Sequence, residues 1–365
     1  MRFEILARRE ISDSLIGEIL DLYSRSFERW PRFDPRIPLA DHLTWKMESP
    51  GGRWSAVVGW SGSRLVVART VVSHGVRVHG SSRSILDLPD VAVDPAYRGR
   101  GISTALSAYS DVRVEPFSDL QLDDSTHPRI AGRSRRAHAR PLGNPIRALH
   151  LPFDARRFGR DLIGHRRSPR ALSLLVALSA AAAAARLRAR RRGRASQRRL
   201  TLHTAAHLDA RADALFERAA APFDLIFESG RERLEWRYCD RRAGPFVVRI
   251  AEDEEGELIG YAVVRHAAPA GILADLLALP ERLDAVEALA HDAVALLGAG
   301  GAAGVSTWLP NRHPYRSVLR RVGFVAAPRP IPIRHRSQRL PPEELAFLDR
   351  RDARIHFVIG NTDLV

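Results

Sequence analysis

The sequence has very little cysteine, lysine and methionine. Of its 365 residues, one is a cysteine, Cys239, and two are methionines. The only lysine is Lys46, so every other side chain in the Lys+Arg total of 57 is an arginine. A single cysteine excludes an intramolecular disulfide framework and any zinc site built from several thiolates. We therefore expect neither a disulfide scaffold nor a bound metal.

Long apolar runs and a leader signal are also missing. The first ten residues, MRFEILARRE, have no apolar stretch behind their basic side chains, which favours a cytoplasmic protein. The Ala/Leu-rich run Ala171–Ala185 has 15 residues, fewer than the roughly 20 that a membrane span needs. We expect no transmembrane span, and we interpret this run as a helix packed against a domain. The length and the 45% hydrophobic content suit two globular domains.

Positive charge is concentrated in one central segment. The net charge is +15, yet residues 129–199 alone hold 20 arginines and two acids, so the remainder is slightly acidic. Only Phe153 and Phe158 interrupt this segment with aromatic rings, so it carries no strong nucleic-acid signal. A solvated linker and peripheral contact with an anionic membrane or polymer both remain open interpretations.

Short strands and amphipathic helices alternate along the first part of the chain, which predicts an α/β (α+β) fold class. Ser12 and Asp13 can cap a helix that runs to about Phe27. A second helix is predicted over 40–48. The predicted strands are Arg2–Leu6, Ser55–Trp60, Leu65–Val72, Ile85–Val93 and Asp119–Leu122.

The last part of the chain resembles a second copy of the first. Leu43-Thr44-Trp45-Lys46-Met47 recurs 191 residues later as Leu234-Glu235-Trp236-Arg237-Tyr238, and Asp275 stands 185 residues after Asp90. Two near-equal offsets across different elements indicate a diverged internal repeat. We expect an N-terminal domain over 1–160, an Ala/Arg-rich helical linker over 161–203 and a C-terminal domain over 204–365.

The run Arg98-Gly99-Arg100-Gly101-Ile102-Ser103 follows a predicted strand and opens a predicted helix. Glycines there allow positive φ angles and a close approach of the backbone to a ligand. The amides at the start of a helix, together with its macrodipole, favour a bound anion such as a diphosphate. The run is not a nucleoside-triphosphate P-loop. An ordinary glycine turn with surface arginines is the alternative interpretation.

The longer run from Asp90 to Leu106, DVAVDPAYRGRGISTAL, resembles motif A of the GNAT superfamily of acyl-CoA-dependent N-acyltransferases. That motif is a strand, then [RQ]-x-x-G-x-[GA], then a helix. Arg98 and Gly101 match its first and fourth positions, and Ser103 replaces the usual glycine or alanine. The resemblance implies two GNAT-like domains, each a mixed, mostly antiparallel twisted sheet flanked by helices. Within the first, the signature strand would be bulged around Pro89 and would splay from its neighbour.

The resemblance also implies which residues bind acyl-CoA. Backbone groups of the splayed strand would lie along the pantetheine arm, and the loop would surround the diphosphate. These residues are Val91, Ala92, Val93, Arg98, Gly99, Arg100, Gly101, Ile102 and Ser103.

The second copy departs from this pattern. The corresponding positions, within 280–289, contain acids and no glycine. Yet Tyr315–Phe324 resembles a late segment of GNAT domains, and 355–363 is predicted as a closing strand. We therefore expect a degenerate C-terminal domain in which Tyr315 is a packing residue.

The predicted activity is transfer of an acetyl group from acetyl-CoA to the amine of a small molecule or amino sugar by direct attack. The amine must lose a proton, and Asp90, Asp123 and His127 are the candidate bases. Each of the three could equally be a turn or capping residue. Two alternatives stay open: a non-catalytic acyl-CoA-binding or sensor protein, and an interaction protein that docks on anionic surfaces through its arginine-rich segment.

Overall fold

A computed structural model describes all residues except 32, 115–116, 124–138, 155, 159–199, 268–269 and 364–365. The chain divides into two compact units. The first unit comprises Met1–Pro141, Asp240–Gly244 and Arg334–Asp349, and the second comprises Leu142–Cys239, Pro245–Ile333 and Arg350–Val365. The predicted linker lies almost entirely outside the described residues, so the three-part division of the chain stays a prediction.

The first unit mixes helices and short strands in two sheets. One sheet has the strand order β1-β2-β3-β6 and is antiparallel throughout, and in the other β4, β5, β7, β17 and β8 follow one another. The elements are β1 (Arg2–Leu6), α1 (Asp13–Ser26), α2 (Leu39–Met47), β2 (Ala56–Ser61), β3 (Arg64–Thr70), β4 (Val72–Val78), β5 (Ser81–Asp87), β6 (Ala92–Val93), α3 (Ile102–Arg113), β7 (Leu120–Asp123), β8 (Arg140–Pro141) and β17 (Arg334–Ser337).

Helix α1 forms where its sequence predicts it. The Ser12 hydroxyl accepts a hydrogen bond from the Leu15 amide at 3.2 Å and caps the first turn. The helix ends at Ser26, with Phe27 as its C-cap, and its apolar face, which includes Ile19 and Tyr23, is buried in a core shared with β2 and β3. The capping signal and the 3.6-residue periodicity therefore place this element correctly.

The predicted strand Ile85–Val93 is wrong in one respect. The structure divides it into β5, which ends at Asp87, and β6, which begins at Ala92. Between them Pro89 has no amide hydrogen to donate, and Asp90 adopts a φ of 53°. A ladder cannot continue through these two residues, so the chain leaves one sheet and enters the other.

The second unit contains a seven-stranded sheet in the order β10-β12-β13-β14-β15-β9-β16 and a short parallel pair, β11 with β18. Its elements are β9 (Ile146–Pro152), β10 (Thr201–Ala205), α4 (Arg211–Ala220), β11 (Leu225–Phe227), α5 (Arg231–Leu234), β12 (Phe246–Glu252), β13 (Leu258–His266), β14 (Gly271–Ala278), α6 (Leu283–Ala299), β15 (Gly304–Pro310), α7 (Tyr315–Val322), β16 (Val325–Ala326) and β18 (Ile355–His356). Helices on mixed, mostly antiparallel sheets confirm the predicted fold class.

The predicted closing strand over 355–363 is mostly not a strand. Only Ile355 and His356 pair with a neighbour, and Ile359–Asn361 form a 3-10 turn. The Asn361 side-chain oxygen accepts from the Val358 amide at 2.9 Å, while the Asn361 amide donates to the Val358 carbonyl at 3.0 Å. These two short-range hydrogen bonds close the turn and prevent an extended conformation.

In the described part of the chain, no helix combines the length and the apolar character that crossing a bilayer requires. The Ala/Leu-rich run 171–185 lies outside the described residues, as does most of the arginine-rich segment.

Candidate functional site

In the first unit the chain changes sheets between β5 and β6, so β6 and β7 are not paired with each other; we call this break in strand pairing the slot. Strand β5 runs parallel to β7, with Ile85 opposite Leu120, whereas β6 pairs antiparallel with β3. After Asp90, where the chain has passed from one sheet to the other, β6 and β7 therefore belong to different sheets. Strand β6 stands at the edge of its sheet, and its Val93 carbonyl already accepts from the Ser26 hydroxyl and from the Arg98 guanidinium, both at 3.2 Å.

The closed end of the slot is held by side chains of Ser118 and Asp119. The Ser118 hydroxyl donates to the Leu120 carbonyl at 2.6 Å and accepts from the Leu86 amide at 3.1 Å. The Asp119 carboxylate accepts from the amide and the hydroxyl of Ser84, at 2.8 and 3.0 Å. These contacts fix β5 against β7, so the two strands separate only beyond this point.

The crossing segment, Leu88–Asp90, is held by three side chains. The Lys46 ammonium lies 2.6 Å from Asp90 Oδ2, and the Thr70 hydroxyl donates to the same oxygen at 3.2 Å. The Arg69 guanidinium donates to the Leu88 carbonyl at 2.6 Å. The predicted base Asp90 therefore already receives two hydrogen bonds, one of them charged, and its role as a base stays a prediction.

The loop that follows β6 is organised by Asp94. This carboxylate is buried, accepts from the Ala96 amide at 3.0 Å and forms an ion pair with Arg64 at 2.8 Å. Burial alone would raise the pKa of Asp94, but the hydrogen bonds from Arg64 and Ala96 lower it below the ordinary value. The ionised side chain caps the 3-10 turn Pro95–Tyr97 and orients the residues that come next.

Gly99 and Gly101 have left-handed backbone conformations, with φ angles of 80° and 74°. Gly101 is the N-cap of α3, and the first helical hydrogen bond runs from the Ala105 amide to the Gly101 carbonyl at 3.0 Å. The amides of the first helical turn therefore have no partner within the helix. No heavy atom lies within 4 Å of the Cβ position at either glycine, so the loop is open to a ligand. This is the geometry of an anion site at a helix start.

The two arginines of the loop direct their side chains to the protein backbone. Arg98 donates to the carbonyls of Val93 and Ser26, at 3.2 and 3.0 Å. Arg100 donates to the Ala96 carbonyl at 3.2 Å and lies over the Tyr97 ring, 5.0 Å from its centroid. Because the Arg98 amide also donates to Pro95, the amides that remain for an anion begin at Gly99.

The other two predicted bases differ in position. Asp123 ends β7, opposite Arg334 of β17, on the strand that borders the slot. His127 lies outside the described residues. Among the residues that are described, no group of three or more His, Cys, Asp or Glu side chains could hold a metal ion.

The corresponding region of the second unit is built differently. Strand β14 continues unbroken to Ala278 and pairs with β15 at only two positions, Gly271 with Val305 and Ile272 with Ser306. Gly360 packs directly against β14, because a Cβ atom there would lie 2.7 Å from the Ala274 carbonyl oxygen. The 355–363 segment therefore lies against the part of β14 that leaves its neighbour.

The start of α6 in the second unit is not an open anion site. Arg282 and Asp284 form an ion pair of 2.9 Å there, and the Arg282 side chain lowers the pKa of Asp284. A carboxylate beside the first helical turn repels a second anion. Tyr315 is fully buried and its hydroxyl donates to the Ala278 carbonyl at 3.0 Å, as expected of a packing residue.

Four residues that hold the first site were not predicted from the sequence: Lys46, Arg64, Arg69 and Thr70. All four precede the glycine loop by 28 or more residues and belong to no chemical motif. The only signal for Lys46 was its place in the repeated Leu-x-Trp segment.

No known family profile matches the sequence, and no curated protein sequence is similar to it. Solved structures are similar. A GCN5-related N-acetyltransferase from Kribbella flavida aligns with a TM-score of 0.58 and 16% identity over 93% of this chain and 72% of that one. Saccharomyces cerevisiae N-myristoyltransferase with bound myristoyl-CoA aligns with a TM-score of 0.57 and 14% identity over 94% and 80%. A tandem GNAT protein from the clavulanic acid biosynthesis pathway aligns with a TM-score of 0.53 and 17% identity over 92% and 98%.

Proposed function

The chain has the fold of the GNAT superfamily, and from this premise we propose that it is an acyl-CoA-dependent N-acyltransferase. The observation that carries the proposal is the open loop at Gly99–Ser103, which presents helix-start amides beside the slot between β6 and β7. The loop would bind the diphosphate of acyl-CoA, and the edge of β6 would bind the pantetheine arm. Acetyl-CoA is the proposed donor, and a small-molecule amine or amino sugar is the proposed acceptor.

The chemistry asked of the site is direct transfer. The amine nitrogen forms a bond to the thioester carbon, the carbon–sulfur bond breaks, and one proton leaves the nitrogen while the thiolate of CoA gains one. Edge amides of the splayed strand would stabilise the oxyanion that develops on the carbonyl. Asp90, Asp123 and His127 remain the proposed bases, and Asp123 borders the slot on β7.

One experiment tests the proposed cofactor site with a matched pair of glycine variants. Gly101→Glu places a carboxylate and a strained backbone in the loop, so calorimetry with CoA and with acetyl-CoA should detect no binding. Gly256→Glu is the control, because Gly256 has a similar φ of 78° and open surroundings in the second unit. We expect the control to bind CoA like the wild type. Equal affinities of the two variants would contradict the proposal.

A second candidate function is acyl-CoA binding without turnover. It is favoured by the ion pair that engages Asp90, because a carboxylate held by Lys46 and Thr70 is poorly placed to take a proton from an amine. Release of free thiol from acetyl-CoA with a panel of amines separates the two functions. Turnover supports the transferase, whereas tight CoA binding with no thiol release supports the sensor.

A further inference from the structure

We propose that Lys46 is a positioning residue that keeps the acyl-CoA slot open. Together with Thr70 and Arg69 it clamps the crossing segment Leu88–Asp90, which directs β6 away from β7. This inference rests on the proposed function, since the slot is the expected site of the pantetheine arm. We call the contacts of Lys46, Thr70 and Asp90 the Lys46–Asp90 clamp.

The ion pair between Lys46 and Asp90 is buried. The side chains of Lys46 and Asp90 are only 7% and 9% exposed, and their charged atoms are 2.6 Å apart. Most lysines keep the ammonium in water, because burying a charge is costly unless it is paired. The only lysine of the chain is thus placed inside the fold, where it forms an ion pair with the crossing segment. This burial is unusual for a side chain with no structural task.

The backbone of Asp90 has an unfavourable conformation. Its φ of 53° lies in the left-handed region, where a residue with a Cβ atom is disfavoured. Such conformations persist when surrounding contacts determine them. Here the contacts come from two other elements, Lys46 on α2 and Thr70 on β3, and both reach the same carboxylate oxygen.

A hydrogen bond from Arg69 holds the chain on the other side of Pro89. Arg69, the neighbour of Thr70 on β3, is buried and donates to the Leu88 carbonyl at 2.6 Å. The segment is therefore held at Leu88 and at Asp90, the residues on either side of the proline. With both residues fixed, β6 pairs with β3 and belongs to a different sheet from β7.

The repeat in the sequence allows Lys46 and Asp90 to be compared with the corresponding residues of the second unit. The second unit has Arg237 and Asp275 at the positions of Lys46 and Asp90. There the aspartate accepts from the Leu276 amide at 2.8 Å and from the Tyr238 hydroxyl at 3.2 Å, while Arg237 donates to the Thr362 carbonyl at 2.7 Å. Strand β14 runs through this position with a register shift at Ala274 but without a break. The broken strand and the Lys–Asp pair therefore occur together in the unit that has the open loop.

The test combines binding with the reactivity of a single amine. Lys46→Met should raise the dissociation constant of CoA at least tenfold in calorimetry, and Thr70→Val should raise it less. Lys46→Arg keeps a cation and should restore binding to within about threefold of the wild type. Arg249→Met is the matched control, because it removes an ion pair of the same 2.6 Å length with Asp292 in the second unit. Its affinity for CoA should be unchanged.

The second readout needs no ligand. In the wild type, Lys46 should resist acetylation by an N-hydroxysuccinimide ester, which peptide mass spectrometry measures at this one side chain. Asp90→Asn should accelerate that reaction at least tenfold, because the ammonium loses its charged partner. Fast labelling of Lys46 in the wild type would overturn the clamp.

The outcomes separate the clamp from the proposed function. A folded Lys46→Met variant with wild-type affinity for CoA would also overturn the clamp. If Lys46→Met does not fold, loss of affinity in Thr70→Val with rescue in Lys46→Arg supports the clamp, and wild-type affinity in Thr70→Val contradicts it. If the wild type binds no CoA while Lys46 is protected, the proposed function fails and the clamp remains as a structural contact.

Discussion

At the scale of single residues, the site depends on side chains that hold the backbone and on glycines that leave it open. Gly99 and Gly101 allow the loop its left-handed turns, and Asp94 fixes the residues just before them. The sequence motif identified the glycines, because their chemistry is local. It assigned the arginines of the loop to the ligand, whereas the structure directs the side chains of Arg98 and Arg100 to backbone carbonyls.

Asp94 provides a prediction at this scale. Asp94→Ala removes the cap of the turn and the ion pair with Arg64, so the free energy of unfolding should fall by about 1–2 kcal/mol. CoA affinity should fall several-fold, because the loop at Gly99–Gly101 loses its anchor. Urea denaturation and calorimetry measure the two effects.

Asp94→Asn is the control for that change. The amide oxygen can still accept from the Ala96 amide, so this variant should lose less stability than Asp94→Ala. Equal losses in both variants would mean that the charge on Asp94, and not the cap, holds the loop.

At the scale of elements, periodicity and capping signals located most of the helices and strands. Helix α1 and strand β1 lie within one residue of the predicted ends, because each has a regular apolar pattern. The strand Val72–Val78 was not predicted as a separate element, since Ser73, His74 and Gly75 interrupt its apolar alternation. Pro89 was a local signal for an irregular strand, but the contacts of Lys46 and Arg69 with Leu88–Asp90 join residues that are distant in sequence and are therefore invisible to local patterns.

Gly360 gives a prediction at the element scale. A methyl group there would clash with the Ala274 carbonyl oxygen and the Tyr238 hydroxyl. Gly360→Ala should therefore displace the 355–363 segment from β14 and lower the melting temperature by several degrees. CoA affinity should stay at the wild-type value, because the proposed site lies in the first unit.

Thermal denaturation and calorimetry check this variant, and Gly301→Ala is its control. Gly301 has open surroundings but a φ of 80°, so its substitution strains the backbone without a clash. A Gly360→Ala protein as stable as the wild type would contradict the packing of the segment on β14.

At the scale of the whole molecule, the two compact units have different local chemistry. Each unit has a pair of parallel strands that is hydrogen-bonded over only one or two positions, β5 with β7 in the first unit and β14 with β15 in the second. In the first unit, glycines with positive φ angles then precede a helix, whereas the corresponding positions of the second unit contain no glycine. The sequence predicted this contrast because it is a matter of residue type at 98–103 and 280–289. The sequence could not predict which strands are neighbours within each sheet, because strand pairing depends on contacts between segments that are distant in sequence.

Buried histidines of the second unit predict how stability depends on pH. Burial lowers the pKa of His356 to about 3 and that of His150 to about 4, from an ordinary value of 6.5. Below pH 6.5 these histidines therefore become protonated in the unfolded chain but stay neutral in the folded chain, so acidification favours unfolding. Burial raises the pKa of Asp275 to about 6, which acts in the opposite direction but is a single group.

The free energy of unfolding should consequently decrease as the pH falls from 6.5 to 4.5. Urea titrations at several pH values measure the slope, and His150→Gln should make it shallower because it removes one of the buried histidines whose pKa is lowered. A stability that increases over this range would contradict the burial of both histidines in the neutral form.

The central claim is that amides near residue 100 bind a diphosphate and that their counterparts near residue 285 do not. Hydrogen–deuterium exchange of the full chain with and without CoA tests this claim most directly. We expect CoA to slow exchange in peptides covering 95–106 and to leave exchange in peptides covering 279–289 unchanged. Slowed exchange confined to 279–289, or no change in either region at saturating CoA, would contradict it.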